Sequence, residues 1–596
     1  MNPTNERIAA LRTAMLSEGL GAYLVPCGDP HSSEYLPDHY RSLTWFSGFH
    51  GENCNLVVTP TESALWADGR FFVQAEKELA GTEIRLQKMG EPGVPTVEEY
   101  CAAALSEEQC LGFCGLTASL GLVQKLKKAL EPKKAQIRTA FLEDAIWTEN
   151  RPPLPATPAW LLSPEFAGKT FGEKLDLLRE KLKAEKCTAE ICCRLDNIAW
   201  LFNLRAMDIP CTPYAMAYSY ITENRAVLFL NTDRLAPEAA RELTEGGVEL
   251  RPYDAVLDFL HSETSEQTVL VPETVNYAVY EAVCSNPCLT SAEKTDPIDL
   301  LKSVKNEIEL DHIRESHIRD AAAMVRFQME LEKRLDAGED IYETDIDDIL
   351  HKYRSADSRF IVESFHTISA YGANAAMMHY HPSKEEPVRI ERKGFLLVDS
   401  GATYMDGTTD ITRTYPVGPL TEDEKLFYTW TLQCHIDIAR SVWLDYCTGK
   451  MIDSIAREPL WCHLINYRCG TGHGVSFVGN VHEGPQRLNG TCDVKFVPGM
   501  MITDEPGVYE GGQVGIRIEN ELECYKKAQN QYGTFLAFRP VMYVPISVSP
   551  IVPGVLSREQ IEWLNDYHNT VYTRLSPLLN EEERTWLAER CAPIGC

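Results

Sequence analysis

The sequence predicts a multidomain protein of mixed α/β and α+β class. Three observations carry that prediction. The segment Arg151-Pro-Pro-Leu-Pro-Ala-Thr-Pro158 holds four prolines in eight residues. Proline removes an amide donor and biases its predecessor to extended backbone, so this segment reads as a linker. On both sides of it, short apolar strand-like runs alternate with helix-like stretches. A long amphipathic segment then opens the second half of the chain. At roughly 150 residues per domain the length of 596 allows about four domains, and three large ones fit as well. The expected division is residues 1–152, 158–302 and 306–596.

Taken in order, Glu6–Glu18 has a helical pattern, and Gly21-Ala-Tyr-Leu-Val25 and Asn55-Leu-Val-Val58 read as strands. After the linker, Lys174–Glu185 reads as a helix and Thr188–Arg194 and Arg225–Leu230 as strands. A boundary falls near Asp299–Lys305. Beyond it Leu310, Ile313, Ala321, Met324, Val325, Leu331 and Leu335 lie within about 60° of one direction at helical spacing, and Gly338 is the expected stop. No short-period repeat is visible.

Composition narrows the function. The 57 basic and 87 acidic residues give a net charge of −30, which repels phosphate backbones and argues against nucleic-acid binding. The start is polar, and no apolar run approaches the ~18 residues of a membrane helix, so no membrane association is expected and a cytoplasmic location is. The 19 cysteines are scattered, which fits small buried hydrophobes in a reducing compartment better than a disulfide scaffold. Cys110/Cys114 and Cys284/Cys288 have half-site spacing for zinc but no matching second pair nearby.

The chemistry-bearing residues lie after position 306. Gly394-Phe-Leu-Leu-Val-Asp399 is an apolar strand ending in an aspartate. Asp406-Gly407 between two strand-like runs signals a hairpin, with glycine expected to supply a positive φ. Folding that hairpin could bring Asp399 beside Asp410, where two buried carboxylates would need a cation or a shared proton. Gly470-Thr-Gly-His473-Gly is a glycine-flanked histidine, the glycines letting backbone and ligand approach closely. Met500-Met-Ile-Thr-Asp-Glu505 ends a strand on a glutamate. In Val514-Gly-Ile-Arg517-Ile-Glu519 the period-two pattern puts Arg517 and Glu519 on one face and Ile516 and Ile518 on the other. Four carboxylates match the charge of two divalent cations. Mostly oxygen donors with one imidazole suit manganese, with zinc, cobalt or iron open. Paired metals of this kind are hydrolytic centres.

These residues, in the phrases Val398-Asp-Ser-Gly-Ala402, Asp406-Gly-Thr-Thr-Asp-Ile-Thr-Arg-Thr414, Gly470-Thr-Gly-His-Gly-Val475, Asn480-Val-His-Glu-Gly-Pro485, Thr503-Asp-Glu-Pro-Gly507 and Gly515-Ile-Arg-Ile-Glu-Asn520, resemble the pita-bread metallopeptidases, and most of all the three-domain, cytosolic-type Xaa-Pro aminopeptidases. Pro26-x-Gly-Asp-Pro-His-x-Ser-Glu-Tyr35, Trp66-Ala-Asp-Gly-Arg-Phe71 and Asp196–Arg205 extend the resemblance to the first two domains. The resemblance implies two creatinase-like α/β domains followed by a pita-bread catalytic domain with a C-terminal extension. It implies hydrolysis of the N-terminal Xaa-Pro bond of peptides by a hydroxide bridging two divalent metal ions, usually manganese, in a homodimer.

It also implies roles. Asp410 and Glu519 would bridge the metals, Asp399 would complete one, and His473 and Glu505 the other. Glu505 would accept the proton. His379 would lie by the substrate and His482 would steady the tetrahedral intermediate. Arg517 would orient a carboxylate, Glu519 included, or the substrate, and Arg70 would contact peptide, across a dimer interface. His366 and His381 carry no assigned role. One position departs from the family: Cys469 stands where a second histidine, four residues before the metal-binding one, is usual. Two rival readings stay open at this point, a prolidase restricted to Xaa-Pro dipeptides and a non-catalytic peptide-binding module.

Overall fold

A computed structural model describes residues 2–378 and 380–595. By contacts the chain divides into two compact units, Met1–Leu161 with Thr170–Pro210 and Tyr214–Ile298, and Leu162–Lys169 with Cys211–Pro213 and Asp299–Cys596.

The first unit holds two six-stranded sheets. In one, Ala22–Pro26 pairs antiparallel with Asn55–Val58 and parallel with Cys110–Phe113. In the other, Ala189–Cys192 pairs antiparallel with Tyr218–Thr222 and parallel with Gln267–Val271. Numbered along the chain within each sheet, both have the order 4-3-2-1-5-6 with the same sense at every pairing. The unit is thus a topological duplication with a period of roughly a domain length, too long and too diverged to show as a sequence repeat. One apolar cluster, including Leu24, Phe113, Ile191 and Val271, draws on both sheets.

The second unit is antiparallel sheet covered by helices. Asn306 opens the long helix α1 (Glu307–Asp336), its side chain accepting from the amides of Ile308 and Glu309 while the Asn306 amide donates to the Glu309 carboxylate. Gly338, at φ +76°, follows the helix end in the left-handed region. Strands β1 (Phe395–Ser400) and β2 (Ile411–Pro416) pair antiparallel. Helices α2 (Glu422–Ala439) and α3 (Gly449–Trp461) follow, then β3 (Gly472–Gly474), β4 (Met501–Asp504), β5 (Val514–Arg517) and β6 (Asn520–Asn530). Met324 and Val325 of α1, Leu396 and Val398 of β1, Leu432 of α2 and Ile516 of β5 share one buried core. Packing β-branched and γ-branched side chains between helix and sheet fixes which strand face is polar, and that face carries the site.

One local expectation is corrected. The hairpin between β1 and β2 turns at Met405-Asp406, between Ala402–Tyr404 and Gly407–Thr408, and Gly407 does not have a positive φ. Glycine is needed at 407 for a different reason: a Cβ there would run into Ser316 of α1.

Candidate metal centre

The antiparallel register sets Asp399 directly opposite Thr412. Asp410 immediately precedes β2, two residues before Thr412, and the charge of Asp399 bears on it. Ligand-type atoms of Asp410, His473 and Glu519 all lie within 4.8 Å of one another, and all three residues are buried. His473 Nε2 stands 3.5 Å from Asp410 Oδ2 and 3.4 Å from Glu505 Oε1. Its Nδ1 is 3.0 Å from the carbonyl of Gly474, which can only accept, so Nδ1 carries the proton and Nε2 is free to donate a lone pair.

The supports are local and specific. The His473 amide donates to Thr503 Oγ1 at 3.0 Å, and the Glu505 amide to the Thr471 carbonyl at 2.8 Å, so β3 and β4 fix each other. Glu519 is held by its amide on the Thr412 carbonyl at 3.1 Å and by the Thr412 hydroxyl donating to Oε2 at 2.6 Å. Arg517, also buried, donates to Asp399 Oδ2 at 2.6 Å, Thr412 Oγ1 at 3.0 Å and Tyr509 Oη at 2.8 Å. The sequence left Arg517 open between a carboxylate, such as its neighbour Glu519, and the substrate. Its guanidinium reaches the carboxylate of Asp399 on β1.

Electrostatics mark the cluster as one that needs cations. Burial first, then the charges of Glu519 and Asp399, hold the Asp410 carboxyl well above the carboxylate range. Burial and the same crowding raise Glu519. Glu505 is pushed up to about 7 by burial, with Arg517 pulling down and Asp399 pushing up. Burial lowers His473, with His482 adding to the effect. Asp399 Oδ1 is buried and has no hydrogen-bond partner among the described residues. Carboxylates gathered in low dielectric are costly unless cations neutralise them. One imidazole with mostly carboxylate oxygen donors fits two divalent ions.

The other candidates fall as follows. The His482 ring is 4.2 Å from that of His473, edge to face. His379 lies outside the described residues. Arg70 belongs to the first unit, where it is half-buried and donates to both oxygens of Asp68, with Nη2 at 2.6 Å from Oδ2. Cys469 is neutral, its thiol pushed up to about 12 by burial with the Glu505 charge adding. The sequence does not mark Thr412, Thr503 and Tyr509 as site residues. The alternation that placed Arg517 and Glu519 on one face also applies to Thr412 and Thr414, and would have found the first.

The chain matches known families along its length. Residues 7–141 and 150–309 each match a creatinase/prolidase N-terminal domain, residues 311–526 metallopeptidase family M24, and residues 534–594 the C-terminal region of that peptidase. It is 36% identical to a probable Xaa-Pro aminopeptidase P of Coprinopsis cinerea over 99% of this chain and 98% of that protein. It is 34% identical to aminopeptidase P2 of Arabidopsis thaliana over 99% of this chain and 89% of that protein. Its fold matches the crystal structure of X-prolyl aminopeptidase from Caenorhabditis elegans, described as a cytosolic enzyme with a di-nuclear active site, with a TM-score of 0.94, 33% identity and full coverage of both chains. With like proteins matched end to end and the acid–histidine cluster in place, the chain belongs to the Xaa-Pro aminopeptidases of metallopeptidase family M24.

Proposed function

We propose that this chain removes the N-terminal residue from peptides whose second residue is proline, with Asp399, Asp410, His473, Glu505 and Glu519 holding two divalent metal ions. The observation that carries the reading is the buried convergence of Asp410, His473 and Glu519, with Glu505 at 3.4 Å from His473, in a chain aligned end to end with Xaa-Pro aminopeptidases. Asp410 and Glu519 would bridge the two ions, Asp399 would complete one, and His473 and Glu505 would complete the other. Manganese is the proposed metal; zinc, cobalt and iron are the other ions the donor set accepts. When bound, the two cations polarise the scissile carbonyl and make a water nucleophilic at neutral pH.

The chain's own residues do the rest. Glu505, raised toward neutrality by burial, accepts the proton of the attacking water. His482 donates to the oxygen on which negative charge develops, and His379 holds the substrate. Arg517 binds no proton in the cycle; it fixes Asp399 and lines the substrate side. Arg70 contacts the peptide across a homodimer interface. The three-domain division at 1–152, 158–302 and 306–596, the homodimer and a cytosolic location complete the reading. Among the described residues no helix is long and apolar enough to cross a membrane.

The test is metal analysis of active enzyme together with a peptide panel. Arg-Pro-Pro should be cleaved after arginine and its analogue with alanine second should not. Cleavage confined to Xaa-Pro dipeptides would make the enzyme a prolidase. Protein that holds no metal and stays inactive with added Mn²⁺ would make it a binding module.

A further inference from the structure

Asp410 sits at a crossing. Gly407–Thr408 belongs to one three-stranded sheet and β2, from Ile411, to another. No strand ladder therefore fixes the Asp410 backbone. Its amide donates instead to a side chain, Glu521 Oε1, at 2.8 Å. Glu521 lies on β6, two residues beyond Glu519, and is buried; its Oε2 has no hydrogen-bond partner among the described residues.

A cation from a different element completes the arrangement. His317 of α1, fully buried, places Nε2 2.8 Å from the same Glu521 Oε1. Its Nδ1 is 2.7 Å from the carbonyl of Ile313, one helical turn back. A carbonyl only accepts, so Nδ1 is protonated, and Nε2 faces the Glu521 carboxylate at ion-pair distance. The ring is thereby tied to the helix backbone at one end and set against Glu521 at the other. A buried ion pair is a poor device for stability, since an apolar pair of equal volume usually serves as well. Here it hands the rigidity of a 30-residue helix to a backbone amide that no strand ladder holds.

We infer that His317 and Glu521 are positioning residues that hold Asp410 in place for metal binding. The inference rests on the proposed role of Asp410 as a ligand. Outer partners of metal ligands typically govern affinity by 10–100-fold.

Calorimetric titration of Mn²⁺ into the metal-free, full-length protein tests it. Glu521→Ala should weaken Mn²⁺ binding about 10–100-fold while kcat at saturating Mn²⁺ stays within about threefold of wild type. Glu521→Gln keeps an oxygen for the Asp410 amide and should recover most of the affinity. His317→Gln frees the Glu521 side chain and should lose about tenfold or more. Wild-type Mn²⁺ affinity in Glu521→Ala and His317→Gln overturns the proposal, and so does Glu521→Gln losing as much as Glu521→Ala. If Glu521→Ala fails to fold, Glu521→Gln and His317→Gln decide by the same criteria. Asp410→Ala separates the two levels: wild-type Mn²⁺ binding in that variant would sink the ligand assignment itself.

Discussion

Arg517 and Asp399 form a buried pair that divides the labour of one carboxylate: Nη2 takes Oδ2 at 2.6 Å, and Oδ1 is left without a hydrogen-bond partner among the described residues. The remaining guanidinium nitrogens are committed to Thr412 and Tyr509, so the fork is fixed on both sides. A lysine offers a point charge, not a planar fork, and cannot hold all three partners. Arg517→Lys should therefore cost at least about tenfold in kcat/KM at saturating Mn²⁺, or roughly 1.4 kcal/mol of transition-state stabilisation. Arg517→Ala leaves Asp399 buried without its cation and should destabilise the second unit by about 3–5 kcal/mol. Steady-state kinetics and urea unfolding check both; a lysine variant with wild-type kinetics would show that charge alone suffices.

The acids of the centre trade stability for ligation. Asp410 and Glu519 have folded-state pKa values raised well above their ordinary ones, by burial first and then by a neighbouring carboxylate, Glu519 for Asp410 and Asp399 for Glu519. A raised carboxyl costs stability wherever the unfolded chain would ionise it, that is, at neutral pH, and costs nothing once pH falls below the unfolded value near 4. Asp410→Asn and Glu519→Gln should each raise the melting temperature of the metal-free protein by a few degrees at pH 7.5, with the gain vanishing toward pH 4. The same variants should retain less than about one per cent of activity, since a neutral amide is a weak replacement for a carboxylate in the bridging role proposed for both. Scanning calorimetry of metal-free samples across pH reads the first effect.

Metal binding should release protons. Glu505 is raised to about 7, and burial with like charges nearby holds Asp410 and Glu519 well above their ordinary range, so the acids of the site favour their protonated forms more than free carboxyls do. Ligation requires the charged forms, so each cation bound must expel the protons. Mn²⁺ affinity should rise from pH 6 to pH 8, by up to about tenfold per pH unit for each proton released. Calorimetry in two buffers of different ionisation enthalpy counts those protons at fixed pH. A count of zero at pH 7 would mean that the acids are already charged in the empty site.

How much of this was legible in the sequence follows from range. Asp399, Asp410 and the run Arg517–Glu519 announce themselves because strand alternation is local and an aspartate at the end of an apolar strand is conspicuous. The long helix from 307 is equally local, being written in its seven aligned apolar positions and the glycine that stops it. The partner of Arg517 was not legible as a single residue, because the packing of β5 against the strands that carry Asp399 and Thr412 is set by the whole core, more than a hundred residues apart in sequence. His317 was hidden for the same reason: on its helix it is one more polar residue, and only the approach of β6 gives it a counter-charge. The duplicated topology of the first unit was hidden because pairing order, not residue identity, is what the two halves share.

Cys469 should tolerate the histidine that the family resemblance implies at this position. Its thiol is neutral, pushed up to about 12, and packs beside the cluster of Cys434, Leu460, Tyr467 and Val508. The link that ties this residue to the rest of the unit is its backbone carbonyl, which accepts from Arg457 Nη2 at 2.7 Å and is indifferent to the side chain. Cys469→His should keep or raise kcat, and the wild-type thiol should resist iodoacetamide in the folded protein at pH 7.5 because little thiolate is present. A loss of turnover beyond about tenfold would reveal a specific task for the thiol.

Gly472 gives the sharpest test of how the histidine is delivered. The sequence reading gave the glycines around His473 the task of letting a ligand come close. In the structure the close approach at Gly472 is between strands: a Cβ there would collide with the Thr503 backbone carbonyl of β4. The same approach lets the His473 amide reach Thr503 Oγ1 at 3.0 Å. Gly472→Ala must push β3 and β4 apart, at a cost of about 1–3 kcal/mol in overpacking, and it moves His473 away from Glu505, which now lies 3.4 Å from it. Because the clash is with backbone, no rotamer change relieves it. The expected outcome is a folded protein with a lowered melting temperature and Mn²⁺ binding weakened at the ion shared by His473 and Glu505, whereas Gly490→Ala, whose Cβ would meet open space, should change neither. Two-site Mn²⁺ titration of the pair of variants distinguishes this from a merely looser fold, since general loosening would weaken both sites together.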